Sequence, residues 1–138
     1  GAFRFTYFTE KYDETCNFYT NKLGLNLEHS WDRSEHDKGA LFRAGAGLIE
    51  ILHRPMNEEH RYEGLDYRVP KGVFMCIQVW NIDELFKKYN NIGVPFKQEV
   101  SDRPWGHRSF SVLEPNGLLL FFFQEQFLLI DIFEKDCH

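Results

Sequence analysis

An internal repeat at an offset of seventy residues limits what this chain can fold into more than any other feature. Tyr12-Asp13-Glu14 recurs as Ile82-Asp83-Glu84, Tyr19 falls on Tyr89 and Asn21 falls on Asn91. After one dropped residue, Leu23-Gly24-Leu25 matches Ile92-Gly93-Val94, and further on Gly47-Leu48 falls on Gly117-Leu118. Several of these positions have a physical reason to recur. Ile82, Leu85, Phe86, Tyr89 and Ile92 follow helical spacing and predict a buried stripe. Asn81 and Asp13 stand where a side chain caps the start of such a helix. Gly24 and Gly93 fall where a helix ends in a left-handed residue, with Pro95 as a stop signal, so they read as caps and not as phosphate-loop glycines.

Around each helix the pattern is β. Aromatic and β-branched runs at 3–9 and 73–80 enter the helices as strands. After the first helix come 27–32, 40–44 and 48–53; after the second come 96–100, 108–113 and 118–124, with Asn116-Gly117 suited to a tight hairpin. The expectation is an α+β fold of two tandem βαβββ modules, 3–54 and 72–125, in one domain spanning 1–138. A polar segment at 55–71 with Pro55, Gly64 and Pro70 links them. An apolar tail, 126–138, must pack on the domain or on another subunit. Half a chain of 138 residues cannot easily close a core, so the copies must pair. Their strands then curl into a cup of mixed sheet, and every second residue of each strand faces it.

Composition narrows the function. The aromatic share is 17%, with fourteen Phe, six Tyr and three Trp, which calls for a heavily packed core or a cavity with flat apolar walls. The net charge of −5, with no basic segment, argues against nucleic acid as a partner and mildly favours cationic molecules. No apolar run reaches the ~20 residues that cross a bilayer, so no membrane partner is expected. The chain begins at Gly1 with no signal peptide pattern, which reads as a processed start. Cys16, Cys76 and Cys137 lie far apart in no metal-type spacing and read as reduced, buried thiols of a cytoplasmic protein.

Several local motifs resemble the vicinal oxygen chelate superfamily, which covers glyoxalase I, extradiol dioxygenases, fosfomycin-inactivating enzymes and bleomycin-resistance proteins. They are Tyr12-Asp13-Glu14-Thr15 followed by Phe18-Tyr19 and Leu23-Gly24-Leu25, then Gly47-Leu48-Ile49-Glu50-Ile51, then Glu114-Pro115-Asn116-Gly117. The runs Pro104-Trp105-Gly106-His107-Arg108 and Trp80-Asn81-Ile82-Asp83-Glu84-Leu85 are most similar to the bleomycin-resistance branch. The resemblance implies four metal-ligand positions in metal-dependent members, one on the first and one on the last strand of each module. Here they fall on Arg4, Glu50, Phe74 and Phe121, with Leu120 as the other phase of the last strand.

Only Glu50 among these offers a lone pair, because guanidinium stays protonated and phenylalanine has no donor atom. A zinc- or iron-type ion needs about three side-chain donors, so neither a metal nor another cofactor is expected. His29, His53 and His107 show no ligand spacing; His107 reads equally as a pocket-mouth or a structural residue. Arg4 and Glu50, if both point inward, form a buried ion pair across the cup, as a polar plug or as ligand-orienting groups. Phe74, Phe121, Trp31 and Trp105 are the candidate apolar walls, with Trp105 in its Pro-Trp-Gly loop a stacking platform for a flat or cationic ligand.

Two readings follow. In the first, the protein binds and sequesters a small organic molecule, cationic or aromatic, such as an antibiotic, without a metal and without catalysis. The resemblance implies a homodimer with ligand in clefts at the subunit boundary. In the second, it is a glyoxalase- or dioxygenase-like lyase or isomerase, with Glu50 as general base and Arg4 or His107 as electrophilic helper. A third, blander option is a regulatory domain whose cup is filled by its own side chains.

Overall fold

The computed structural model describes residues 1–35, 37–53 and 67–126. The 54–66 part of the linker and the 127–138 part of the tail lie outside the described residues. The first module runs β1 (Arg4–Thr9), α1 (Tyr12–Asn17) continuing into a π-helical turn (Phe18–Lys22), β2 (Asn26–Ser34), β3 (Asp37–Ala44) and β4 (Gly47–His53). The second runs β5 (Phe74–Gln78), α2 (Ile82–Asn91), β6 (Phe96–Asp102), β7 (His107–Leu113) and β8 (Leu119–Glu125). Each module folds one four-stranded mixed sheet, ordered β1-β4-β3-β2 and β5-β8-β7-β6. The first strand of each lies parallel to the last, and the other pairs are antiparallel. The sheets are not closed into a barrel, as a curled cup requires.

The π-helical turn explains the residue dropped from the repeat. Leu23 N–H donates to the Phe18 carbonyl at 3.0 Å and Leu25 N–H to that of Tyr19 at 2.9 Å. In the second module the corresponding chain end is one residue tighter, with Val94 N–H on the Tyr89 carbonyl at 3.0 Å. A π turn takes one more residue than an α turn, so the first copy carries its extra residue without changing where the strands begin. Both helices then end on left-handed glycines, Gly24 at φ 68° and Gly93 at φ 76°.

The expected side-chain caps are not made. The residue before α1 is Lys11, with Asp13 inside the first turn, and Asn81 precedes α2 without a side-chain cap bond. Tertiary contacts serve the orphan N–H groups that begin the helices. Thr9 Oγ1 accepts from Lys11 N–H at 2.8 Å, and Gln124 Oε1 of β8 accepts from Ile82 N–H at 3.0 Å.

Alternation along the strands puts one face of each sheet against a helix. Ala40, Phe42, Ile49 and Ile51 of the first sheet and Phe110, Val112, Leu120 and Phe122 of the second are essentially buried there. With Tyr19 and Tyr89 they belong to a single core cluster, so the modules pack through their helix-covered faces. Polar contacts join them inside that core. Tyr19 OH lies 3.0 Å from Tyr7 OH, which donates to Glu114 Oε2 at 2.8 Å, and Tyr89 OH donates to the Leu23 carbonyl at 2.7 Å. Glu114 is buried yet saturated, accepting also from Asn116 N–H, Leu118 N–H and Asn116 Nδ2. The Glu-Pro-Asn-Gly stretch is thus a structural clasp, turned by Gly117 at φ 90°.

Candidate functional site

The other face of each sheet, turned away from its helix, carries the residues singled out from the sequence. Residues in register across a sheet share a face, so the pairing defines the rows. On the first sheet one row is Arg4, Leu48, Arg43 and Asn26; the next is Thr6, Glu50, Leu41 and His29; the last is Phe8, Leu52, Gly39 and Trp31. On the second sheet the corresponding rows are Phe74, Leu119 and Leu113; then Cys76, Phe121, Ser111 and Gln98; then Gln78, Phe123, Ser109 and Ser101. Arg4 therefore matches Phe74, and Glu50 matches Phe121. Leu120 is fully buried on the opposite face, which fixes the phase of β8 in favour of Phe121.

Arg4 and Glu50 meet, but not as a buried pair spanning the cup. They sit on adjacent parallel strands, with Arg4 NH1 donating to Glu50 Oε2 at 3.1 Å. The Arg4 side chain is 47% exposed and that of Glu50 14%. Thr6 Oγ1 donates to the other Glu50 oxygen at 2.9 Å. Both carboxylate oxygens are therefore engaged from within the sheet.

The aromatic positions separate into walls and outliers. Phe74 and Phe121 pack at 4.9 Å between ring centroids, with Phe74 59% exposed. Trp31 lies flat on β3 above Gly39, where a Cβ would stand 2.0 Å from the indole. His29 flanks this ring at 5.7 Å and the Arg33 guanidinium at 5.8 Å. His107 opens β7 and stacks on Phe123 at 4.5 Å and 19°, which ties it to the wall rather than to a loop. Trp105 stands apart on the turn before β7, 68% exposed, beside Gly106 at φ 88°.

The two faces meet in a recess of about 270 Å³ at the edges of β1, β4 and β5, where Leu48 of the first face and Phe74 and Cys76 of the second line the same space with Phe3, Phe5 and Met75. A recess of about 440 Å³ between the π turn and the Glu114 hairpin includes Lys22, whose ammonium donates to the Ile92 carbonyl.

Sequence reading missed Ser111. It stands beside Phe121, is fully buried, and its Oγ has no hydrogen-bond partner among the described residues. Nothing in a lone serine of a β-run signals this; only the register does. The cysteine reading needs correction. Cys16 is half-buried and Cys76 exposed, because β5 turns Cys76 to the face away from α2. Burial pushes both thiols up, so neither is an activated nucleophile.

The four positions at which the resemblance implies metal ligands do not fit a divalent ion. One is a guanidinium, two are phenyl rings, and the single carboxylate is occupied by Arg4 and Thr6.

Comparison with known proteins agrees with this architecture. The family model described as "Glyoxalase/Bleomycin resistance protein/Dioxygenase superfamily" matches residues 2–122. A bleomycin resistance protein from Geobacillus stearothermophilus is 27% identical over 121 residues, covering 81% of this chain and 87% of that protein. Two solved structures share the fold. A glyoxalase/bleomycin resistance protein/dioxygenase from Alicyclobacillus acidocaldarius has a TM-score of 0.65 at 21% identity, covering 91% of each chain. A similarly described protein from Nocardioides has a TM-score of 0.68 at 20% identity, covering 91% of this chain and 83% of that one.

Proposed function

We propose, from the premise that this chain belongs to the glyoxalase/bleomycin resistance protein/dioxygenase superfamily, that it binds and sequesters a small organic molecule without a metal. The observation that carries the reading is the state of Glu50. It is the one carboxylate at the four positions, and both of its oxygens accept hydrogen bonds from neighbours on β1. Such a group is poorly placed to coordinate an ion or to take a proton from a substrate. What the open faces supply instead is apolar surface, from Trp31, Phe74, Phe121 and the Phe123–His107 stack. That suits a ligand with a flat aromatic part, such as an antibiotic of the bleomycin type.

A homodimer enclosing the ligand between facing sheets accounts for the exposed Phe74 and the half-exposed Trp31 together. Trp105, on its turn, would stack at the rim. An exposed Cys76 thiol suits a cytoplasmic setting, where thiols stay reduced.

Calorimetric titration with zinc and nickel, paired with thermal-shift measurement against bleomycin, tests the reading. The expectation is no stoichiometric ion binding and a raised melting point. A compound at a hundred times its Kd adds about 2.7 kcal/mol to the native state. Tight one-to-one ion binding would move the protein to the lyase or dioxygenase side of the superfamily.

A further inference from the structure

The open face of the first sheet presents a fixed guanidinium, and its setting points to a particular ligand chemistry. Arg4 uses NH1 on Glu50, and its other donors have no partner among the described residues. Glu50 is shielded, at 14% exposure against 47% for Arg4, and its oxygens are spent on Arg4 and Thr6. At the surface of this ion pair the accessible charge is therefore the cation. Leu48 lies next to it in the row, with Thr6 two residues and Phe8 four residues along the strand, so the guanidinium borders apolar surface on its Leu48 side. Arg43, at the far side of Leu48, has its Nε on Glu28 at 2.9 Å, and the two side chains are equally exposed at 39%. That second pair shows solvent no net charge.

We infer that the ligand carries an oxyanion, a carboxylate or phosphate monoester, on an aromatic or otherwise apolar body, and that Arg4 receives it. The inference rests on the binding reading above but departs from its bleomycin example, a cation with no carboxylate or phosphate, by giving the ligand an anionic end. The planar fork of arginine matches two oxygens of such a group, and Glu50 holds the fork in place before the ligand arrives. The chain's net charge of −5 favours cations at long range, but charges beyond about 8–10 Å are screened at physiological salt. At contact distance the local guanidinium decides.

Four probes with one ring system separate the possibilities by calorimetry: 2-naphthoate, 2-naphthyl phosphate, 2-naphthamide and 2-naphthylmethylammonium. Either or both anions should bind at least about tenfold more tightly than the amide and the ammonium, the range of a charge-assisted hydrogen bond. Which anion is preferred tells carboxylate from phosphate ligands. Arg4→Gln should erase that preference, and Arg4→Lys should keep part of it. Arg43→Gln should leave it intact. Should Arg4→Gln fail to fold, the loss of preference in Arg4→Lys relative to wild type, or its absence, decides the matter. Equal or tighter binding of the amide or the ammonium by wild type overturns the charge preference alone. Failure of all four probes to bind counts against the binding reading itself.

Discussion

Raising the pH should unfold this protein over a narrow range, because its core depends on tyrosines that cannot ionise in place. Burial, followed by the neighbouring Tyr19 and Glu114, pushes the Tyr7 phenol far above its ordinary value near 10. Burial does the same to Tyr19, and raises Tyr89 to about 12. In the unfolded chain all three ionise near pH 10. Their stabilising effect is complete below that pH and is lost as the pH climbs, since the unfolded state releases protons that the native state retains. Each such proton costs about 1.4 kcal/mol per pH unit, so three give about 4 kcal/mol per unit above pH 10. Two units consume about 8 kcal/mol, within the ~5–15 kcal/mol that a domain possesses. Urea midpoints followed across this range, with tyrosinate absorbance recorded in parallel, provide the assay. Tyr7→Phe should reduce the slope by about a third. At neutral pH it should also cost about 2–3 kcal/mol, because Glu114 loses one donor and Tyr19 its acceptor. A stability that stays level past pH 11, or tyrosinate appearing in full while the fold persists, would refute the reasoning.

Three further outcomes are expected. Ser111→Ala should stabilise the native state by about 1 kcal/mol in urea unfolding, because it removes a buried hydroxyl without a partner among the described residues; a loss of stability instead would reveal a partner. Gly39→Ala places a methyl inside the Trp31 ring's space and should cost about 1–3 kcal/mol, while in a Trp31→Ala background the same change should cost almost nothing in a double-mutant cycle. Leu120→Ala should cost about 2–5 kcal/mol in stability, whereas Phe121→Ala, its neighbour on the open face, should cost less than half of that and should weaken 2-naphthoate binding instead.

The superfamily hosts both binding proteins and enzymes, so the fold alone does not choose between them. The binding reading proposed above rests on side chains at matched positions. Pairing Glu50 with Thr6 and Phe121 with Cys76 shows that the modules keep one geometry while their chemistry has diverged. The first face is charged and carries one tryptophan; the second carries phenylalanines and serines.

The chain by itself determined the two βαβββ modules, because hydrophobic period, glycine position and repeat offset are local properties and survive in a linear text. Strand after strand falls within a few residues of its expected place, and Arg4, Glu50, Phe74 and Phe121 fall at equivalent points on the first and last strands of their modules. Only the tertiary structure decided what those residues touch. Whether Arg4 is sunk or half exposed depends on strands more than forty positions apart, as does the release of Cys76 to the surface. The same holds for Asp13 and Asn81, whose capping work passes to Thr9 and to Gln124 from a distant strand. The hidden hydroxyl of Ser111 and the Tyr7–Glu114 clasp arise from register and from module packing, and such long-range contacts leave no periodic mark along the chain.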